Sequence, residues 1–530
     1  MRIRGLPAWP LATAVALAVQ SLVAAPITVS TTAGIVRGTQ EANHINAYLG
    51  IPYAKPPIGP LRWRVPESPE SWQGVRAASQ FPASCFQPWP PPKFGPYTSE
   101  YVDTPAPSED CLYLNVWAPG SSAARLPVLV WIHGGGFLGG SGAIEIYNGR
   151  HLASQGVVVV TINYRVGPFG FLALPELTAE SPHGGSGNFG LLDMIAALKW
   201  VRDNIAAFGG DPRNVTIAGQ SAGAVAVNSL LTSPDASGLF SRGIAESGSG
   251  MGVPAEPIHD AEMEGEKFSK WLGARNLAEL RTLPAEKIQS GVFMPVGQVA
   301  GEGPPPIRFK PVVDGAILRA NPDDPAATVE SPVPLITGFN QDEGYDPSRR
   351  VSAVQFELSV RENYKEHAMR FLALYPHASD EEAAKSQRLL ARDRYMSSLL
   401  LWSKKHADAG QQRVYAYLYE HPVPIVQGPS WGTFHTAEVP YVFGVLNRNE
   451  RPYTAIDERV AAEMSAYWLA FMRTGDPNGP NLHRWTPIDR EGLDVMGLGD
   501  QVGPRAAVSS VERFAAFREF VRDGGHLSLF

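Results

Sequence analysis

Val215-Thr-Ile-Ala-Gly-Gln-Ser-Ala-Gly-Ala224 is the stretch whose reading decides the fold. An apolar, β-branched run ends in Gly219-Gln-Ser221-Ala-Gly223 and continues as Ala224-Val-Ala-Val-Asn-Ser-Leu-Leu231, which reads as a buried helix. Strand, sharp turn with serine at its tip, then helix is the context of a nucleophile elbow. The turn crowds its neighbours, so small residues are needed two positions before and two after the serine. The helix start offers free N–H groups and the positive end of a dipole.

The bare G-x-S-x-G pattern recurs at Gly428-Pro-Ser430-Trp-Gly432. There Pro422, Pro424 and Pro429 oppose a regular strand leading in, and no helical run follows. Ser430 therefore reads as a loop serine and Ser221 as the nucleophile.

A serine hydroxyl needs a base for its proton and donors for the oxyanion. Leu126-Pro-Val-Leu-Val-Trp-Ile132 reads as a second strand, followed by the glycine turn His133-Gly-Gly-Gly-Phe137. Glycines there let backbone N–H groups approach a carbonyl, so Gly135 and Gly136 join Ala222 as expected oxyanion donors. No Lys-Ser/Thr pair follows, which argues against a phosphate cradle. Pro334-Leu-Ile-Thr-Gly-Phe339 reads as a strand leading into Asn340-Gln-Asp-Glu343-Gly344. Either Asp342 or Glu343 qualifies as the acid, and position does not choose between them. Among twelve histidines, His435 stands out in a late loop of small and aromatic residues, while His133 is better explained as the end of a strand. No H-E-x-x-H or similar ligand cluster supports a metal, and no cofactor is implied.

Composition narrows the class. With 530 residues, 44% of them hydrophobic and 18% charged, the chain can bury a large core. A net charge of −7 and a pI near 6.0 provide no basic stripe, so nucleic acid is not an expected partner. Arg2 and Arg4 precede Leu11-Ala-Thr-Ala-Val-Ala-Leu-Ala-Val19 and the small residues Ala24 and Ala25. That is the pattern of a signal peptide, residues 1–25, cleaved near Ala24 or Ala25. Its apolar centre is too short to span a bilayer, so no stable membrane insertion is expected and the mature chain is assigned to the periplasm or the exterior. In an exported chain the two cysteines, Cys85 and Cys111, are expected to form one disulfide.

Taken together, the chain resembles the type-B carboxylesterase family, the α/β-hydrolases that include cholinesterases and many microbial esterases. The resemblance rests on Leu49-Gly-Ile-Pro-Tyr-Ala54, Pro56-Pro-Ile-Gly-Pro-Leu-Arg62, Ser108-Glu-Asp-Cys-Leu-Tyr-Leu-Asn-Val-Trp117, Asn163-Tyr-Arg-Val-Gly167, Gly187-Asn-Phe-Gly-Leu-Leu-Asp193, Phe208-Gly-Gly-Asp-Pro212 and Thr474-Gly-Asp-Pro-Asn478. It implies one α/β-hydrolase domain over residues 26–530, with a large, mostly parallel sheet flanked by helices and long loops forming a gorge. It also implies a serine esterase acting on small-molecule esters through a Ser221–Glu343–His435 triad, with Glu343 preferred over Asp342. Gly135, Gly136 and Ala222 would form the oxyanion hole, Ser247 would support the triad from behind, and the family's first disulfide falls on Cys85 and Cys111. Family substrates include aryl esters, lipids, plant esters and tricarballylic esters of mycotoxins. Cholinesterases carry glutamate where Gln220 stands and tryptophan near the position of Tyr101, and both departures argue against choline esters. A lipase and a non-catalytic adhesion protein on the same scaffold are the alternatives, and retention of all three triad residues opposes the second.

Overall fold

Strands covered on both faces read as continuous apolar runs rather than as alternating ones, and Val158-Val-Val-Thr-Ile162 is buried at every position. A computed structural model describes residues 27–527, apart from residues 92, 121–124, 251, 293–306, 324–326, 411, 449 and 490–491. The expected leader, residues 1–25, lies outside the described residues.

Among the described residues the main sheet has thirteen strands. In chain order they are β1 (Ile27–Ser30), β2 (Ile35–Glu41), β3 (Ile45–Pro52), β4 (Val75–Ala77), β5 (Tyr113–Pro119), β6 (Leu126–Ile132) and β7 (Val158–Ile162). There follow β8 (Gly210–Gln220), β9 (Arg242–Glu246), β10 (Leu335–Asn340), β11 (Val414–Tyr419), β12 (Asp494–Leu498) and β13 (Gly503–Ala506). Spatially they run β1-β2-β3-β5-β7-β6-β8-β9-β10-β11-β12-β13, with β4 beside β2. Pairing is parallel from β7 through β12 and antiparallel at β1–β2, β2–β3, β3–β5, β5–β7 and β12–β13. The sheet is large and mostly parallel at its centre, as the sequence implied.

Side chains alternate between two cores, as the two-residue period of a strand requires. Val128, Val130, Ile132, Val215 and Ile217 enter one core beside helices α1 (Phe189–Asn204) and α2 (Ala222–Leu231). Leu129, Trp131 and Ala218 enter the opposite core. Further along, α3 (Asp380–Gly410) sends Tyr395, Met396 and Leu399 against Phe339 and Leu418, and α4 (Ala455–Thr474) packs Trp468 and Phe471 into the second core. After β6 the chain makes β7 on one side and then β8 on the other, so strand order reverses at β6. A crevice at the carboxyl ends of strands flanking such a switch is where α/β sheets bind ligands.

Several of the quoted sequence motifs hold loops to this frame. Arg165 and Asp193 form a buried bidentate ion pair, with Nε to Oδ2 at 2.8 Å and Nη2 to Oδ1 at 2.7 Å. Arg62 grips Glu109 in the same way. Cys85 and Cys111 are joined by a disulfide across a separation of 26 residues. Removing one partner of a buried pair strands the other charge, at a cost of about 3–5 kcal/mol. Asp193→Ala is therefore expected to lose about that much stability in urea unfolding, whereas Asp203→Ala, which removes an exposed partner of Arg202, is expected to stay within about 1 kcal/mol of the parent.

Candidate active site

Ser221 sits between β8 and α2 with φ 58° and ψ −124°, outside the regions that non-glycine residues favour. Its own N–H is tied to the Glu246 carbonyl at 2.9 Å, and its carbonyl accepts the Val225 N–H. Neighbouring backbone explains the two glycines. A Cβ on Gly219 would lie 2.5 Å from the Gly223 carbonyl carbon, and one on Gly223 would lie 2.1 Å from the Ile132 oxygen. The elbow is thereby pressed onto the end of β6.

That contact delivers the glycine turn. A Cβ on Gly134 would lie 3.2 Å from Ser221 Cβ, so the turn after β6 and the serine are direct neighbours. Gly135 and Gly136 adopt φ 114° and 63° and are exposed, and nothing lies within 4 Å of a Cβ built on Gly136. Ala222, as the first residue of α2, has an N–H with no acceptor inside the helix. His133 belongs to the strand end instead. Its ring is buried and stacked on Tyr164, with Nδ1 2.8 Å from the Gly134 oxygen, and burial lowers its pKa to about 4 against that hydrogen bond.

The loop after β10 separates its two carboxylates. Glu343 Oε2 lies 2.5 Å from His435 Nδ1, while its Oε1 accepts the Ser247 hydroxyl at 2.6 Å and the Asn340 N–H at 3.1 Å. Asp342 turns the other way, accepting the Thr433 N–H and hydroxyl and pairing with Arg388 of α3. Asp342 thus holds the loop that carries His435 and does not touch the imidazole. With Nδ1 donating to Glu343, His435 Nε2 keeps its lone pair, which lies 3.2 Å from the Gln220 amide nitrogen. Burial works to lower the His435 pKa, but the Glu343 charge and hydrogen bond, with Glu438 adding to them, hold it above its ordinary value. Ser430 is an exposed loop residue that caps the Gly432 N–H.

Two further residues escaped sequence reasoning. Asn340 donates from Nδ2 to both the Phe434 carbonyl and Glu438, bracketing His435 from beneath. Glu438 is buried, and burial together with Glu343 pushes it up to about 7. Asn340 opens the quoted Asn340–Gly344 segment and Glu438 follows His435 by three residues, so polar residues surviving at buried positions were the available signal. Tyr101 offers no open face to a cationic substrate, because it is buried against Phe434 and Tyr97 and the Arg451 guanidinium already occupies its ring at 5.0 Å.

An imidazole that accepts a proton must be neutral, so with His435 as the base activity should fall as the medium becomes acidic. Because His435 titrates above the ordinary 6.5, the acid limb of kcat/KM is expected to have its midpoint above that pH. Gln220→Glu would place an anion beside Nε2 and favour the imidazolium. The limb should then move to still higher pH, which a profile between pH 5 and 9 reads directly.

The arrangement joins a strained serine, backbone donors and a carboxylate-bound imidazole at the ends of β6, β8, β10 and the loop after β11. The carboxylesterase family model matches residues 25–513. A para-nitrobenzyl esterase of Bacillus subtilis (strain 168) is 37% identical over 484 residues, covering 89% of this chain and 95% of the relative. A fumonisin B1 esterase of Sphingopyxis macrogoltabida is 36% identical over 487 residues, covering 89% and 86%. A phenmedipham hydrolase of Pseudarthrobacter oxydans is 33% identical, covering 89% and 94%. A solved para-nitrobenzyl esterase structure superposes with a TM-score of 0.76 at 33% identity, over 92% of this chain and 99% of that one. With this fold, this cluster at the strand ends and these relatives, the chain belongs to the carboxylesterase family and is a carboxylic ester hydrolase.

Proposed function

We propose that the protein cleaves its esters through an acyl-enzyme on Ser221, with His435 as the base and Glu343 as the acid that orients it. The observation that carries this reading is the 2.5 Å contact between Glu343 and His435 Nδ1, which leaves the Nε2 lone pair beside the elbow. Ser221 Oγ attacks the ester carbonyl carbon and its proton passes to Nε2. Glu343 stabilises the imidazolium, and the N–H groups of Gly135, Gly136 and Ala222 hold the oxyanion. Collapse of the tetrahedral adduct breaks the bond to the alcohol, which leaves with the proton from His435. Water then gives a proton to His435 and its oxygen to the acyl carbon, and the carboxylic acid departs as Ser221 recovers its hydrogen.

The substrate class in this reading is neutral or anionic organic esters. Gln220 puts no negative charge beside Ser221, and the one aromatic face considered for a substrate cation is covered by Arg451. Relatives named for a fumonisin and for para-nitrobenzyl esters accord with that. The leader pattern of residues 1–25 and the Cys85–Cys111 bond support export to the periplasm or the exterior.

Ser221→Ala is expected to lower turnover on the order of a millionfold while leaving the circular dichroism spectrum unchanged. Ser430→Ala should retain most activity, and the opposite ranking of these two variants would refute the assignment. For substrate charge, an acetylcholine-type ester should show kcat/KM at least about tenfold below an uncharged ester of matched acyl chain, about 1.4 kcal/mol of transition-state binding. Measuring the pair at fixed ionic strength decides it, and a preference for the cationic ester would sink the charge argument.

A further inference from the structure

We propose that Tyr97 is a positioning residue for the base, through which the loop closed by Cys85 and Cys111 sets the place of His435. The inference rests on His435 being the base.

The peptide that follows the imidazole is under strain. Thr436 has φ 80°, a left-handed conformation that is an outlier for a β-branched side chain and persists only where surrounding contacts hold it. One of those contacts comes from far along the chain. The Tyr97 hydroxyl donates to the His435 carbonyl at 2.9 Å, across 338 residues of sequence. The carbonyl belongs to the very peptide joining His435 to Thr436, so this bond fixes the peptide plane, and with it the direction from which the imidazole reaches Glu343.

Tyr97 is itself held. Its ring meets Phe434 edge-on at 5.6 Å and Phe94 at 5.0 Å. Arg451, a nearly buried guanidinium, donates to the Pro96 carbonyl at 2.7 Å, to Thr98 Oγ1 at 2.8 Å and to Glu100 Oε1 at 2.8 Å. It also donates to the Pro424 carbonyl in the chain leading to His435 and lies over the Tyr101 and Phe434 rings. One side chain thus fastens the disulfide loop to the histidine loop on either side of Tyr97. Nothing in this arrangement places the Tyr97 hydroxyl on the reacting atoms, so its effect passes through His435.

The test compares two hydroxyl deletions in the full-length enzyme on a neutral 4-nitrophenyl ester. Tyr97→Phe keeps the ring and removes the bond to the His435 carbonyl. Tyr101→Phe removes a hydroxyl from the same aromatic cluster, one that is buried and has no hydrogen-bond partner among the described residues. Active sites are counted by titration with a fluorophosphonate so that misfolded material does not enter kcat. For Tyr97→Phe, kcat per titrated site should fall about tenfold with KM within about twofold. The acid limb of kcat/KM should move to lower pH, because a displaced imidazole loses part of the support it draws from Glu343 and Glu438, the charged groups that face it. Tyr101→Phe should change none of these.

An unchanged kcat in Tyr97→Phe would overturn the proposal, as would a change confined to KM, which would make Tyr97 a wall of the substrate pocket. An equal loss in both variants would overturn it too, by showing a general disturbance of the loop. His435→Ala, measured alongside, checks the underlying reading separately. If it keeps turnover and the acid limb, the base has been misassigned and the proposal falls with it. If it is inactive while Tyr97→Phe is normal, only the proposal falls.

Discussion

The structure depends on one close approach, where the backbone around Ser221 meets the end of β6. Gly223 lies so near the Ile132 carbonyl, and Gly219 so near Gly223, that neither position has room for a single methyl group. This constraint does three things at once. It forces the serine into a conformation with φ 58°, of the kind that costs of order 1–3 kcal/mol and survives only when the surroundings over-determine it. It starts α2 within one residue of the strand end, so the free N–H groups of the helix face the serine. It also brings the glycine turn after β6 against the serine, so donors from two different strands share one small space. Each consequence is a backbone effect, and each would be lost with a larger residue at 219 or 223.

The opposite side of the site is organised by charge. Glu343 and Glu438 are buried beside one imidazole, and Glu246 is buried within electrostatic reach of Glu438. Three carboxylates taken out of water cannot all keep their charge cheaply. Burial first, and Glu438 second, drive the Glu246 pKa well above its ordinary value, and Glu438 rises to about 7. Glu343 differs from both in what it receives, with the Ser247 hydroxyl, the Asn340 N–H and His435 Nδ1 all directed at it. Donors are therefore concentrated on the carboxylate that faces the histidine. Ser247 earns its position at the end of β9 by the same logic, since the adjacent Glu246 carbonyl also holds the Ser221 N–H. Two sides of the site are fixed by consecutive residues, the last of β9 and the one after it.

What was legible in the sequence follows from this division. The elbow and the glycine turn are local: strand, turn and helix lie within about twenty residues, and steric exclusion leaves glycine as a visible mark. The parallel sheet was expected only through the family resemblance, although apolar runs such as Val158–Ile162, buried at every position, carry the same signal. Asp342 and Glu343 were not separable by position, because adjacent residues at a strand end point in different directions. Only the tertiary partners, Thr433 and Arg388 on one side and His435 on the other, tell them apart. The closure of the Tyr101 ring was not legible, because the cysteines fix the ends of its loop and not the packing within it, so nothing local revealed that Arg451, 350 residues away, would cover the ring.

Residues that orient the histidine are scattered for a physical reason. Ser221 needs only its own turn, but an imidazole in a loop has no repeating backbone ladder to hold it, so every direction must be fixed by a separate contact. Glu343 fixes one ring nitrogen and the Gln220 amide meets the other. Asn340 holds the preceding carbonyl at Phe434, Asp342 the N–H of Thr433, and Tyr97 the carbonyl of His435 itself. These come from the ends of β8 and β10 and from the disulfide loop, none of them adjacent in sequence to the histidine. The place of Ser221 is thus a product of local sterics, whereas that of His435 is a product of contacts from several strand ends and a distant loop. Substitutions in distant loops should therefore act on this enzyme mainly through His435, and those that disturb Ser221 should be confined to the strands and turns that touch it.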